Sequence, residues 1–328
     1  MKMDKLRQAI SNIISDKACG GEFYLMVKNK EKIEIKQADV DGTAQKDLAN
    51  NFIKAISDKI LFNDQMSLLD ITAADDRNHA IYRYDLEKVP DQLQHMEVVL
   101  TQDQFDKFSF DTDGLSSIIG ILIILGVGDK QMALYKHQYP IALYKVDDKW
   151  FGLMRGSEDR FKKLDDDILR INYTFEFMRV GGEYYILNLQ TLEKFFGFHD
   201  AIKNVAKQGI ENIVQSDLLE DVSPLLMRLD DITFSRKLVR AASKSPVLGV
   251  IPNDKIIEFV TSHPTLKEKL KTTADKKKLK VDTKAAQGLF LKLLNDDFLQ
   301  SQLTEKYYAS QAKDSLDKEP LAESVQNT

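Results

Sequence analysis

The stretch Ser116 to Lys136, SSIIGILIILGVGDKQMALYK, constrains this chain more than any other. Ile118 to Val127 is ten residues without a charge, whereas a helix needs about twenty apolar residues to span a bilayer. The run is too short to cross. Gly126-Val127-Gly128-Asp129-Lys130 is turn chemistry, and Gln131 to Tyr135 then alternates polar with apolar, as a half-buried strand does. The segment therefore predicts a β-hairpin. Its first strand, apolar on both faces, is expected in the middle of a sheet that is covered on each side. An interfacial membrane segment would need an amphipathic pattern with basic flanks instead.

A chain of 328 residues has ample core for two domains, or for one large domain with an appendage. Hydrophobic content of 43% and charged content of 30% are ordinary for a globular protein, which agrees with the hairpin being core. Met1-Lys2-Met3-Asp4-Lys5 leads into a charged helix with no apolar h-region, so a signal peptide is not predicted and the expected compartment is the cytosol. The lone Cys19 cannot form an internal disulfide, which suits a reducing compartment. It has no neighbouring histidine and is read as an inert small residue.

Charge is more informative divided along the chain than summed. Arg228 to Lys284 holds fourteen Lys or Arg against seven Asp or Glu, a net of +7, so with a total of -5 the remainder carries -12. Such a two-ended chain is expected to have one anion-facing surface. Lysines also accumulate on solvated helix faces for solubility alone.

Periodicity predicts a helix from Met3 to about Ser15, with Leu6, Ile10, Ile13 and Ile14 on one face. Alternation at Phe23, Leu25, Val27 and again at Ile33 and Ile35 predicts a second hairpin. Asp41-Gly42-Thr43 opens a long helix carrying Leu48, Phe52, Ile53, Ile56 and Ile60. Short strands are expected at Leu68 to Ile71 and Ala80 to Tyr84, a small helix near Gln92 to Leu100, and strands at Ile141 to Val146 and Trp150 to Met154. A strand ending at Val180, a Gly181-Gly182 turn, a strand from Glu183 to Leu189 and a helix from Thr191 follow. Beyond Asp217, Leu225 to Leu229, Ile232 to Ala242, Asp254 to Thr261 with Asn253 as its cap, and Ala285 to Leu294 all have helical spacing. Leu279 to Val281 is the sole strand candidate there. The expected fold class is α+β: residues 1–216 mixed and built on antiparallel hairpins, 217–312 mainly helical and basic, and 313–328 a polar, disordered tail.

Most catalytic patterns fail on spacing. The histidines never fall three to five residues apart, so no local zinc pair exists. Asp39-Val40-Asp41-Gly42 and Asp111-Thr112-Asp113-Gly114 lack the remaining ligands of a calcium loop and are read as turns and caps. No Gly-x-x-x-x-Gly-Lys is present, and Gly126-x-Gly128 belongs to a hairpin. No cofactor is expected. Glu34-Ile35-Lys36 has the Glu-x-Lys spacing of metal-dependent nucleases, but any strand with alternating charges produces it. Asp75-Asp76-Arg77 near His79 mixes acid and base in a loop, where Arg77 is expected to pair with an aspartate.

The basic half offers a phosphate-binding surface. Arg236 and Arg240 lie four apart and so share a helical face, with Lys237 beside them and Lys244 just beyond. Lys276, Lys277, Lys278 and Lys280 form a second block, read as a flexible loop that adds charge without fixed geometry. Ammonium groups attract phosphates without reading bases, and few aromatics interleave, so a single-strand stacking platform is not indicated.

ADDR followed by IYRYD (Ala74 to Asp85), RINYTFEFMRVGGEYYILNLQTLEKFFGF (Arg170 to Phe198) and LNDDFLQSQLTEKYYASQAK (Leu294 to Lys313) together resemble the bacterial KwaB family of the two-gene Kiwa anti-phage defence system. These are packing and turn patterns, and none is a catalytic signature. The resemblance covers nearly the whole chain. It implies a DNA-binding effector that works with KwaA, a small integral-membrane partner, to obstruct replication and transcription of phage DNA, and so a cytoplasmic protein held peripherally at the inner membrane. A homodimer or higher homo-oligomer is expected only from the frequency of such assemblies. The competing readings are a metal-dependent nuclease on Glu34 and Lys36, and a scaffold that binds protein or membrane alone.

Overall fold

The structure is a computed structural model that describes residues 3–16, 19–30, 32–74, 77–139, 143–144, 153–155, 161–163, 168–300 and 307–309. The chain divides into two compact units, Met1–Ala201 and Ile202–Thr328. The division falls inside a helix that ends at Gln215.

In the first unit the elements run α1 (Met3–Ile14), β1 (Gly20–Asn29), β2 (Lys32–Gln37), α2 (Gly42–Ile56), β3 (Ser67–Asp70), β4 (Ala80–Arg83), α3 (Asp91–Thr101), β5 (Ile118–Val127) and β6 (Lys130–His137). Short strands β7 (Leu143–Tyr144), β8 (Leu153–Arg155), β9 (Phe161–Lys163) and β10 (Ile168–Leu169) follow, then β11 (Phe177–Val180), β12 (Glu183–Ile186), α4 (Leu189–Phe195) and the start of α5 (Phe198–Gln215). Eight of the strands form one sheet in the order β2-β1-β5-β6-β11-β12-β4-β3, antiparallel except for the β3–β4 pair.

The apolar run thus becomes β5, hydrogen-bonded to β1 on one side and to β6 on the other. Ile118 and Gly120 to Leu125 are buried, as full coverage of both faces requires. Pairing of Val127 with Lys130 closes the hairpin on Gly128-Asp129. On one sheet face α1 buries Leu6, Ile10 and Ile13, and α2 buries Ala49, Phe52 and Ile56, against Leu25, Val27, Ile121, Ile123 and Leu134. Asp41 starts α2 as its sequence predicts, its carboxylate accepting from the N–H groups of Thr43 and Ala44. Tyr135 on β6 stacks on Phe177 of β11, with ring centroids 5.3 Å apart, and meets Phe196 edge-on. Asn188 caps α4 through the Thr191 N–H, so the helix begins at Leu189, before the Thr191 start expected.

A buried polar knot lies where β6 meets β11. The His137 N–H donates to Glu176 Oε2 at 2.6 Å, the Glu176 N–H donates to the Tyr135 carbonyl at 2.9 Å, and the Tyr135 hydroxyl lies 3.0 Å from His137 Nδ1. Burial, with the Lys136 charge in support, lowers the His137 pKa from its ordinary 6.5, while burial raises that of Glu176 from 4.5. The folded chain favours neutral imidazole, so the His137 contribution is complete above pH 6.5 and is lost as pH falls through the lowered folded value. Glu176 acts in the opposite sense, its contribution being complete below pH 4.5 and lost as pH rises through the raised value. His137→Asn is expected to flatten the decline of the thermal midpoint between pH 7 and pH 5. An unchanged decline would show that His137 does not titrate in that window.

The second unit holds the rest of α5, then α6 (Ser223–Leu226), α7 (Ile232–Ser243), α8 (Asn253–Ser262), α9 (Leu266–Lys269), α10 (Lys284–Leu294), β13 (Phe298–Gln300) and β14 (Tyr307–Ala309). Asp231 caps α7 through the Phe234 N–H, and Thr283 caps α10 through the Ala286 N–H. Asn253 does not cap α8. It is the first helical residue, and its Nδ2 donates to the Ser216 carbonyl at 2.8 Å. Leu279 to Val281 is not a strand, for Leu279 makes only single bridges to Leu219 and Thr272. The β13–β14 pair stands in a region without a sequence-predicted strand. Together the sheet-centred first unit and helical second unit make an α+β fold.

Of the strands expected at Ile141 to Val146 and Trp150 to Met154, only 143–144 and 153–154 lie within the described residues. Asp75, Asp76 and the tail 313–328 lie outside them. Among the described residues no helix is long and apolar enough to cross a membrane.

Candidate nucleic-acid interface

Helix α7 turns most of its circumference inward, burying Phe234, Ser235, Arg236, Leu238, Val239, Ala241 and Ala242. Arg236 is 0% exposed. The expectation that it shares an exposed phosphate-binding face with Arg240 is therefore corrected. Spacing of four puts two side chains on one face, but it does not say which face meets the core. Lys237 and Arg240 are half-buried, and Lys244, at the carboxyl cap, is exposed.

The lysine block is an ordered turn, which corrects the flexible-loop expectation. The Thr273 N–H donates to the Lys278 carbonyl and the Lys276 N–H to the Thr273 carbonyl, both at 2.9 Å. Thr273 Oγ1 accepts from the N–H groups of Lys277 and Lys278, and Asp275 Oδ1 accepts from that of Lys277. Lys276 sits in the left-handed region at φ +55°. Hydrogen bonds from Thr273 and the Lys277 N–H hold the Asp275 carboxyl below its ordinary range. Lys278 Nζ pairs with Asp217 at 2.6 Å and Lys280 Nζ with Glu220 at 2.9 Å, a pairing that raises the Lys280 pKa. Lys276 and Lys277 project into solvent.

Three hydrogen-bonded links gather these cations around the carboxyl end of α5. Asn212 Nδ2 donates to the Ala242 carbonyl at 3.4 Å, just before Lys244. Asn253 Nδ2 holds Ser216, which brings up Lys255, and Asp217 holds Lys278, which brings up Lys276 and Lys277. Gly209 of α5 lets α7 approach closely, since a Cβ there would stand 2.8 Å from that of Ala242. The helix end is itself partly negative and favours nearby cations. Asp217 and Asp254 offset part of the charge. What remains is a lysine rim on fixed backbone, able to hold anions without reading base edges. Lys255 is not among the sequence-predicted contacts. Its only local signal is that it and Lys244 bracket the apolar stretch Pro246 to Pro252.

Glu34 and Lys36 lie on β2, at the edge of the sheet. Glu34 pairs with Lys32 at 2.8 Å and with Lys36 at 3.7 Å, and the Lys32 hydrogen bond lowers its pKa. Lys36 also reaches Asp106 at 3.5 Å. Among the described residues, no group of three or more His, Cys, Asp or Glu is placed to hold a metal ion.

Fold and site define a two-unit α+β protein whose helical carboxy-terminal unit carries a lysine rim. Residues 115–304, from the central hairpin through the helical unit to β13, match the family described as Kiwa protein KwaB-like. The chain is also 31% identical over 322 residues to the Kiwa protein KwaB of Escherichia coli O55:H7 (strain RM12579 / EPEC), covering 97% of this chain and 100% of that relative. It belongs to the Kiwa KwaB-like family. No solved structure matches it.

Proposed function

We propose that this chain is the DNA-binding component of an anti-phage defence system, and that it obstructs replication and transcription of phage DNA by occupying the duplex. The observation that carries this is that the segments bearing Lys244, Lys255, Lys276 and Lys277 are each tied by a side-chain hydrogen bond or ion pair to the carboxyl end of α5. Family membership supports the defence role. Obstruction by binding requires only phosphate neutralisation, which the rim supplies independently of sequence. The same reading includes a KwaA-like integral-membrane partner that brings the protein to the inner membrane, and a homodimer or higher homo-oligomer as the assembled form.

The test is fluorescence anisotropy with duplex DNA over a salt series. Removing one lysine–phosphate pairing should reduce the slope of log affinity against log salt by about one. Lys244→Glu, Lys276→Glu and Lys277→Glu together are expected to lower the slope by about three, equally for unrelated sequences, while the thermal midpoint stays at that of the parent. An unchanged slope in the folded triple variant would remove this site. Cleavage of the duplex with magnesium or manganese, abolished by Glu34→Ala, would replace obstruction with nuclease action.

A further inference from the structure

Between α7 and α8 the chain reads Lys244-Ser245-Pro246-Val247-Leu248-Gly249-Val250-Ile251-Pro252-Asn253-Asp254-Lys255. A stretch this apolar would ordinarily be core. Here its tip is outside: Val250 is 67% exposed and Ile251 39%. The turn is built to hold them there. Ser245 Oγ accepts from the N–H groups of Val247 and Leu248 and donates to the Leu294 carbonyl at 2.5 Å, which ties the turn to the end of α10. The N–H groups of Val250 and Ile251 both donate to the Val247 carbonyl. Gly249 supplies the left-handed residue, φ +73°, that the reversal needs.

The exposed tip continues into an apolar groove of about 260 Å³ lined by Val247, Ile251, Ile256, Phe259, Leu293 and Phe298. Lys255 lines the same groove, along with Asp296. Both lysines that bracket the turn are exposed, and Asp254 offsets one of them. A rigid loop that presents aliphatic side chains between lysines has the charge and shape of a shallow bilayer anchor, its apolar tip entering the acyl boundary while the ammonium groups meet anionic head groups. DNA binding explains the lysines and leaves Val250 and Ile251 in water without a role.

We propose that the Ser245–Ile251 turn, with Lys244 and Lys255, inserts directly into an anionic phospholipid surface. This contact belongs to the chain itself and does not depend on a membrane-protein partner. It orients the second unit at the bilayer, and it competes with duplex DNA for the lysines it shares with the rim.

The experiment is co-flotation of the purified full-length protein, without partner, with vesicles of phosphatidylethanolamine and phosphatidylglycerol or of phosphatidylcholine alone. Binding is expected only to the anionic vesicles. Val250→Asn with Ile251→Asn, which removes the apolar tip without adding charge beside the rim, should reduce the bound fraction at least tenfold and leave DNA affinity within twofold of the parent. If the parent does not float with anionic vesicles, or if the folded double variant floats as the parent does, insertion is wrong. A second variant covers a folding defect in the first: Val250→Trp in a Trp150→Phe background should shift its emission to the blue on adding anionic vesicles, and an unmoved emission overturns the proposal. Loss of DNA affinity together with lipid binding in the Asn variant would mean that the tip serves nucleic acid, and would also overturn it.

Discussion

Arg236→Glu is expected to destabilise the carboxy-terminal unit strongly, and not merely to weaken a DNA contact. Arg236 heads the fully buried side chains among the described residues and is engaged by neighbouring groups. Leaving a buried charge uncompensated costs about 3–5 kcal/mol. Reversing the sign adds a carboxylate where a cation was solvated by its surroundings. At roughly 2–4 °C per kcal/mol for a domain of this size, the thermal midpoint of the second unit should fall by about 10 °C or more. Arg240→Glu is the control on the same helix, because Arg240 is only half-buried and its reversal should cost less than that of a fully buried arginine. Circular dichroism melts and limited proteolysis would distinguish the two. An Arg236→Glu protein that melts with the parent would mean that the side chain leaves the core at little cost. The consequence for function is practical: a double reversal of Arg236 and Arg240 would lower DNA binding through lost stability, so it cannot test the interface.

Gly126→Ala should damage the central hairpin almost as severely. Gly126 has φ +112°, a conformation that residues with a Cβ rarely adopt. A Cβ there would also stand 2.0 Å from the Lys130 carbonyl oxygen, which is backbone, and 2.9 Å from Ile13 of α1. Neither neighbour can yield cheaply, since Lys130 belongs to the β6 ladder and Ile13 to the core. Backbone strain of this kind costs about 1–3 kcal/mol, and overpacking costs about 1–3 kcal/mol more. Gly128→Ala in the same turn is the matched comparison: φ is +55° and nothing lies within 4 Å of its Cβ position, so only the left-handed cost of about 1–2 kcal/mol applies. Chemical denaturation should therefore rank the parent, Gly128→Ala and Gly126→Ala in descending stability. Equal loss in the two variants would refute the steric part of the account.

The elements that were legible in the sequence are those with local causes. The β5–β6 hairpin follows from an apolar run ended by Gly126 and Gly128, the start of α2 from the Asp41 cap, and the β11–β12 turn from Gly181-Gly182. Elements that rest on remote partners were not. The single bridges of Leu279 replace an expected strand because the chain there meets Leu219 and Thr272 only at one point. β13 and β14 are three-residue strands that pair with each other, and so short a run carries too little alternation to declare itself. Asn253 has the chemistry of a cap, yet its amide is taken by Ser216, which lies 37 positions away in sequence.

The candidate site divides in the same way. The sequence by itself determined that positive charge is concentrated between Arg228 and Lys284, because net charge is a sum over residues and needs no coordinates. It also determined that the most apolar segment is a strand, since length and turn chemistry exclude the alternatives. Tertiary structure alone decided which cations face solvent. Packing around α7 placed Arg236 in the core, the Thr273 turn fixed Lys276 and Lys277 outward, and contacts at the end of α5 brought Lys244 and Lys255 to the same rim. The physical reason is that a side chain's exposure depends on what lies across from it. That neighbour is set by contacts far away along the chain, whereas helical period and turn propensity are written within a few residues.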